Sequence, residues 1–140
     1  MFPWTPQTVH PLLVHFPIAL FSTGWFCDLL ATRFRQESLF HAGWWCLTFG
    51  VVSAVFAAIT GFLADMVTGH MANPFPLYST HGVVQLTAST LFLTLFVWRW
   101  RLNTRVPERP WRYVYLATGG VATAILFYGG HLGAQLAGRI

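Results

Sequence analysis

The chain has 140 residues, of which 55% are hydrophobic, 17% are aromatic and only 9% are charged. Soluble globular domains carry about 25% charged residues, so this composition excludes that class and indicates an integral membrane protein. The formal net charge of +4 comes from arginines in short connections without a recognition element, which argues against nucleic-acid binding.

Four apolar stretches, each long enough for the roughly 20 residues that cross the hydrocarbon core, follow one another along the chain. The predicted spans are residues 11–31, 43–65, 78–98 and 112–132. The connections are short, so successive helices should be antiparallel neighbours. We therefore predict a single domain over residues 1–140, an all-α integral membrane protein with an up-down bundle of four transmembrane helices. Pro17 lies inside the first span and should kink it.

The placement of the arginines predicts the orientation of the bundle. Seven of the eight arginines lie in or beside the first and third connections, which the positive-inside rule places in the cytoplasm. Both termini and the second connection should therefore be extracytoplasmic. No Lys or Arg precedes the first span, so we expect a permanent helix rather than a cleaved signal peptide. The expected location is the bacterial cytoplasmic (inner) membrane, with the lipid bilayer around all four spans.

Five of the six histidines fall on the predicted outer side of the bilayer. They are His10, His15, His70, His81 and His131. His10 and His70 lie in or next to connections and are predicted to be interfacial, as is His41 on the cytoplasmic side. Ionisable groups inside a span are costly unless they face an interior or a ligand, so an intramembrane site is the default hypothesis.

Helical spacing predicts which side chains face the interior. On the second span, a stripe of small residues ends beside Asp65: Gly50, Ala54, Ala57, Gly61 and Ala64. The same spacing joins His15 with Ala19 and Ser22, and His81 with Gln85 and Ala88. On the fourth span, Ala117, Gly120 and Ala124 lead to His131. Each span should therefore carry one ionisable group toward its outer end.

The first chemistry that suits this set is a b-type haem, held by two neutral imidazoles from opposite sides of a bundle. If the helices circle in sequence order, the first and third are diagonal. His15 and His81 are then the preferred axial pair, and Asp65 and His131 lie near the haem edge. Such a protein would relay electrons between the quinone pool or a membrane redox complex and an extracytoplasmic carrier. We expect an electron-transfer or accessory subunit rather than a stand-alone enzyme.

Two alternatives stay open. In the first, a non-haem Fe, Cu or Zn ion is bound by His15, Asp65, His81 and His131, which supply imidazole and carboxylate ligands. In the second, the histidines only form hydrogen bonds between helices, and the protein is a cofactor-free accessory or structural subunit of a larger membrane complex. Gly129 and Gly133 have the spacing that favours pairing with a partner helix or a second copy.

A family resemblance is carried by residues 10–19, which read HPLLVHFPIA. This segment resembles the signature of the small bacterial four-helix membrane proteins grouped as domain of unknown function family 2231. Weaker matches are Gly61 with Asp65, His81, and the GGHL segment at residues 129–132. The resemblance extends over most of the chain and implies a four-helix membrane protein with a redox or haem-linked role. The family usually has a further His-Gly after the Gly-Gly pair, which is absent here.

Overall fold

The computed structural model describes residues 5–69, 72 and 76–138, and the described residues contain helices but no strand. The α-helices are α1 (Pro6–Leu13), α2 (His15–Phe34), α3 (Glu37–Thr68), α4 (His81–Arg101) and α5 (Trp111–Leu136). A short 3-10 helix (Leu77–Ser79) precedes α4. Four segments are long and apolar enough to cross a membrane: Thr8–Phe34, Glu37–Val67, His81–Arg101 and Trp111–Leu136. The predicted all-α architecture with four spans is therefore confirmed.

The first span is divided at Val14, which separates α1 from α2. Val14 keeps right-handed helical angles, with φ −63° and ψ −22°, so the chain does not turn back at this break. The break lies three residues before Pro17, whose nitrogen has no hydrogen to donate to the carbonyl of Leu13. The helix is therefore interrupted close to Pro17, and the expected kink stays a prediction. Helix α1 packs mainly against α3, with a smaller contact to α2.

The remaining helices form two extensively packed pairs, α2 with α3 and α4 with α5. Contacts of α3 with α4 and of α5 with α2 close the ring, so the helices circle in sequence order, which was the condition for placing the first and third spans on a diagonal. In the centre, Phe21 of α2 stacks on Phe92 of α4, with ring centroids 4.2 Å apart. Gly50 makes this stack possible, since a Cβ there would lie 2.6 Å from the Phe21 ring.

The longest helix, α3, begins and ends outside its predicted limits. Its 32 residues correspond to about 48 Å at 1.5 Å per residue, whereas the hydrocarbon core is about 30 Å thick. Only Arg35 and Gln36 connect α2 to α3, and Arg35 has a left-handed conformation with φ 56°. The helix therefore continues into the interfacial regions, where hydropathy alone could not define its ends.

A buried ion pair lies at the end of the bundle that carries the arginines. Arg99 is 0% exposed and Asp28 is 1% exposed. Nη1 of Arg99 donates to both carboxylate oxygens of Asp28, at 2.9 and 2.8 Å. The Tyr115 hydroxyl donates to Oδ2 of Asp28 at 2.8 Å. We call these three residues the Arg99 cluster.

Backbone oxygens satisfy the rest of the Arg99 guanidinium. Nη2 donates to the carbonyl of Phe40 at 3.0 Å, while Nε and Nη2 both donate to the carbonyl of Thr104, at 3.1 and 3.0 Å. The guanidinium also lies 5.6 Å from the centre of a Trp44 ring. The cluster thus joins all four spans and the α4–α5 connection. From the sequence, Arg99 was expected among the interfacial arginines, and the burial of Asp28 was not predicted.

Candidate functional site

A cavity of about 350 Å³ lies at the end of the bundle opposite the Arg99 cluster and is lined by residues of all five α-helices. Most of the lining is apolar or small. The polar lining residues are His10, Asp65, Ser79, Thr80, His81, Gln85 and Ser89. An apolar cavity of several hundred Å³ with a few convergent polar groups is typical of small-molecule and cofactor sites.

His81, the first residue of α4, is held by α5. Its Nδ1 lies 2.6 Å from the backbone oxygen of Gly129. A carbonyl oxygen can only accept a hydrogen bond, so Nδ1 carries the hydrogen and the neutral ring keeps its lone pair on Nε2. The edge of the ring rests on Gly133, where a Cβ would lie 2.7 Å from Cε1. The backbone of α5 therefore selects both the tautomer and the position of His81.

His10, on α1, is held in a similar way by α3. Its Nδ1 lies 3.2 Å from the hydroxyl oxygen of Thr60. That hydroxyl lies 3.0 and 3.1 Å from the backbone oxygens of Phe56 and Ala57, to which it donates. The Thr60 oxygen is thus left to accept from His10 Nδ1, and the Nε2 lone pair of His10 stays available. The His10 ring packs on Gly61, where a Cβ would lie 3.0 Å from Cε1.

The imidazoles of His10 and His81 both line the cavity and lie close together. Their ring centroids are 6.3 Å apart and their planes cross at 71°. Two imidazoles that bind one metal ion from opposite sides, with each nitrogen about 2 Å from the metal, have ring centres about 6 Å apart. A tetrahedral angle at the metal would bring the centres to about 5 Å. The observed separation therefore agrees with ligands on opposite sides of one ion.

Gln85 lies one helical turn after His81 and packs on Gly129. A Cβ on Gly129 would be 2.9 Å from Cδ of Gln85 and 3.0 Å from Oε1. This Oε1 is buried, and among the described residues no donor reaches it. A buried acceptor without a donor costs about 1–3 kcal/mol. A ligand or water with a hydrogen-bond donor at this point of the cavity would remove that cost.

The predicted interior face of α3 is confirmed. Ala54, Ala57, Gly61 and Ala64 all line the cavity, and Asp65 joins them in the last turn of the helix. The predicted face of α4 is confirmed as well, because His81 and Gln85 line the cavity and Ala88 is 0% exposed.

The predicted faces of α2 and α5 are wrong, because His15 and His131 are exposed. His131 accepts a hydrogen bond from the Gln135 amide on its own helix, at 3.3 Å. Of the four ionisable groups expected to converge, only Asp65 and His81 line the cavity. Within the described ranges, no group of three or more His, Cys, Asp or Glu side chains is placed to hold a metal ion.

Helical register explains both corrections. The buried residues of α2 are Pro17, Phe21, Gly24, Asp28 and Ala31, and the same steps of four and three lead back to Val14 and His10. On α5 the interior face passes through Gly129 to Gly133. A shift of one residue rotates a helical face by about 100°. The acidic Asp28, spaced with Gly24 and Pro17, was the signal that could have revealed the correct face of α2.

Two other histidines complete the set. His41 is exposed near the start of α3, at the end of the bundle away from the cavity. His70 lies outside the described residues.

Comparison with known proteins identifies a family. A family model described as "Predicted membrane protein (DUF2231)" matches residues 6–140. No curated protein and no solved structure matches the chain. The match covers every helix described above and agrees with the resemblance carried by residues 10–19.

Proposed function

Because the chain belongs to the DUF2231 family of predicted membrane proteins, whose description states no activity, we propose a function from the cavity itself. The protein binds a b-type haem with His10 and His81 as its axial ligands, and it relays electrons in the membrane. The observation that carries this proposal is the pair of imidazoles, whose Nδ1 atoms are both engaged and whose ring centroids are 6.3 Å apart.

The surroundings of the pair suit a metal-bound imidazole. A ligating histidine commonly donates its other ring N–H to a backbone carbonyl or a polar side chain, which fixes the tautomer and the ring orientation. Gly129 and Thr60 accept from His81 and His10 in this manner. The apolar walls and small residues of the cavity suit a flat apolar macrocycle. When bound, haem supplies one-electron chemistry, while the chain holds the iron and limits access of water.

The position of the cavity suggests the route of the electrons. It lies at the end of the bundle away from the arginines, which the positive-inside rule assigns to the extracytoplasmic side. In this proposal the protein exchanges electrons with the quinone pool or a membrane redox complex and passes them to an extracytoplasmic carrier.

The other two hypotheses have less support. A non-haem ion would have His10 and His81 as ligands, but the described residues add no third His, Cys, Asp or Glu in a ligating group. A cofactor-free accessory subunit would need the histidines only for hydrogen bonds between helices. It would leave the cavity of about 350 Å³ beside them without an assigned occupant.

The test is the pyridine haemochrome spectrum of the protein purified after expression with ample haem. We expect haem at one per chain and a low-spin Soret band. His10→Ala and His81→Ala should each abolish this band. The matched controls His15→Ala and His131→Ala should keep it, because both side chains are exposed outside the cavity.

Each other result points elsewhere. Loss of haem in His15→Ala with retention in His10→Ala would restore the pair expected from the sequence. A stoichiometric metal without porphyrin would favour the non-haem site. A colourless, metal-free protein that co-purifies with a stoichiometric partner would favour the accessory subunit.

A further inference from the structure

The connection between α4 and α5 is held firmly although it lacks regular structure. Nε and Nη2 of Arg99 donate to the carbonyl of Thr104, at 3.1 and 3.0 Å. Nε of Arg112 donates to the carbonyl of Pro107 at 3.0 Å. The side chains of Val106 and Pro107 are buried as well. The backbone on both sides of Arg105 is therefore fixed by guanidinium groups from α4 and α5.

A second cavity, of about 680 Å³, opens beside this connection. Its charged lining residues are Arg105, Glu108 and Arg109, and the rings of Trp98 and Trp111 form an aromatic wall. The two tryptophan rings meet edge to face, with centroids 6.4 Å apart. We call this cavity the Arg105 pocket.

The two arginines of the Arg105 pocket are not neutralised within the described part of the chain. Among the described residues, the ion pair is the one between Arg99 and Asp28, outside the pocket. Glu108 lies in the pocket but forms no salt bridge with Arg105 or Arg109. Both arginines are exposed, and the Arg109 guanidinium lies 5.5 Å from the centre of the Tyr113 ring. With Arg105 and Arg109 against the single carboxylate of Glu108, the pocket carries a net positive charge.

The depth of the pocket indicates which anion it meets. Trp98 and Trp111 lie at the ends of α4 and α5, where tryptophan anchors a helix at the level of the lipid headgroups. Guanidinium groups match the oxygens of phosphate in geometry and charge. Basic pockets at helix ends on the positive side of a membrane protein bind anionic headgroups.

We propose that the Arg105 pocket binds the phosphate of an anionic phospholipid headgroup through Arg105 and Arg109. The proposal is independent of the haem site, which lies at the other end of the bundle. It also gives the α4–α5 connection a role, because Arg99 and Arg112 hold the backbone on both sides of Arg105 and so keep this arginine at the pocket.

The test measures lipid binding by native mass spectrometry and thermal unfolding of the full chain in detergent. Phosphatidylglycerol should be retained and should raise the unfolding temperature, whereas zwitterionic phosphatidylcholine should not. The Arg105→Gln/Arg109→Gln variant should lose about tenfold or more in affinity for phosphatidylglycerol. The matched control Arg33→Gln/Arg101→Gln removes the same charge from exposed arginines outside the pocket and should bind as the wild type does.

Three results would overturn the proposal. They are the absence of any preference for phosphatidylglycerol, an equal loss in the control variant, and full reproduction of the stabilisation by inorganic phosphate alone. If the first variant unfolds in phosphatidylcholine, Arg105→Lys/Arg109→Lys takes its place. This variant keeps the positive charges but lacks the planar guanidinium groups that match phosphate. We therefore expect a reduced affinity for phosphatidylglycerol, and an unchanged affinity would count against the site.

Discussion

The imidazole of His81 rests edge-on against Gly133, close enough that a Cβ on Gly133 would lie 2.7 Å from Cε1 and 2.9 Å from Nδ1 of the ring. Such distances are shorter than real Cβ contacts allow. The same Nδ1 donates to the backbone oxygen of Gly129, one turn earlier on α5. A side chain at Gly133 would therefore force the ring away from the position in which this hydrogen bond is made.

We predict that Gly133→Ala displaces His81 and destabilises the protein. Overpacking in a close-packed region typically costs about 1–3 kcal/mol, so the temperature of thermal unfolding in detergent should fall. If haem binds as proposed, the haem content should fall as well. The control is Gly130→Ala, where the nearest atom to a new Cβ would be Cδ1 of Ile18 at 3.7 Å. Equal effects of the two substitutions would show that contact with His81 is not the cause.

Gln85→Met tests whether the buried amide oxygen of Gln85 lowers the stability of the ligand-free protein. Methionine has a similar length and keeps the packing on Gly129, but it removes an acceptor that no described donor reaches. An unsatisfied buried polar group costs about 1–3 kcal/mol, so the ligand-free variant should unfold at a higher temperature than the wild type. Gln135→Met, at an exposed position of α5, should have little effect. Destabilisation by Gln85→Met would mean that water or a retained ligand already donates to Oε1.

The Arg99 cluster should be strongly cooperative. Arg99→Met leaves the Asp28 carboxylate buried without its cation, and breaking a buried pair in this way costs about 3–5 kcal/mol. The double variant Asp28→Asn/Arg99→Met removes both charges and should recover part of the loss. Chemical unfolding of the two single variants and the double variant gives the coupling energy. Arg101→Met, at an exposed position, should be nearly neutral, and additive effects of the Asp28 and Arg99 substitutions would contradict the ion pair.

The four spans could be predicted from the sequence because hydropathy depends on composition over some twenty residues, and a register error hardly changes it. The prediction of which face of a helix points to the interior is much more sensitive to an error in register. On α3, glycines and alanines recur so regularly that only one face can pack closely, and the prediction was right. On α2 and α5, small residues occur on several faces. The predicted faces were those that contain His15 and His131, and in the structure these faces point away from the interior.

Contacts between distant segments could not be predicted from spacing alone. His10 continues the interior face of α2 by spacing, but its contacts Thr60 and Gly61 lie on α3, and spacing along one helix does not show which neighbouring helix its interior face meets. Arg99 belongs by sequence to a run of interfacial arginines. Its burial depends on Asp28 and on the Thr104 carbonyl, which only the closed bundle brings together.

The orientation of the bundle leads to a further prediction, which decides whether the histidine cavity opens outward. Exposed arginines gather at the end of the bundle away from the cavity, in both the α2–α3 and the α4–α5 connections, and the positive-inside rule places that end in the cytoplasm. Ser79→Cys and Ser38→Cys form a matched pair for the test in a Cys27→Ala/Cys46→Ala background, since both serines are exposed and lie at opposite ends of the bundle. In intact cells a membrane-impermeant maleimide should label Ser79→Cys, while Ser38→Cys should react only after permeabilisation. The reverse pattern would place the cavity on the cytoplasmic side, where an extracytoplasmic electron carrier could not reach it.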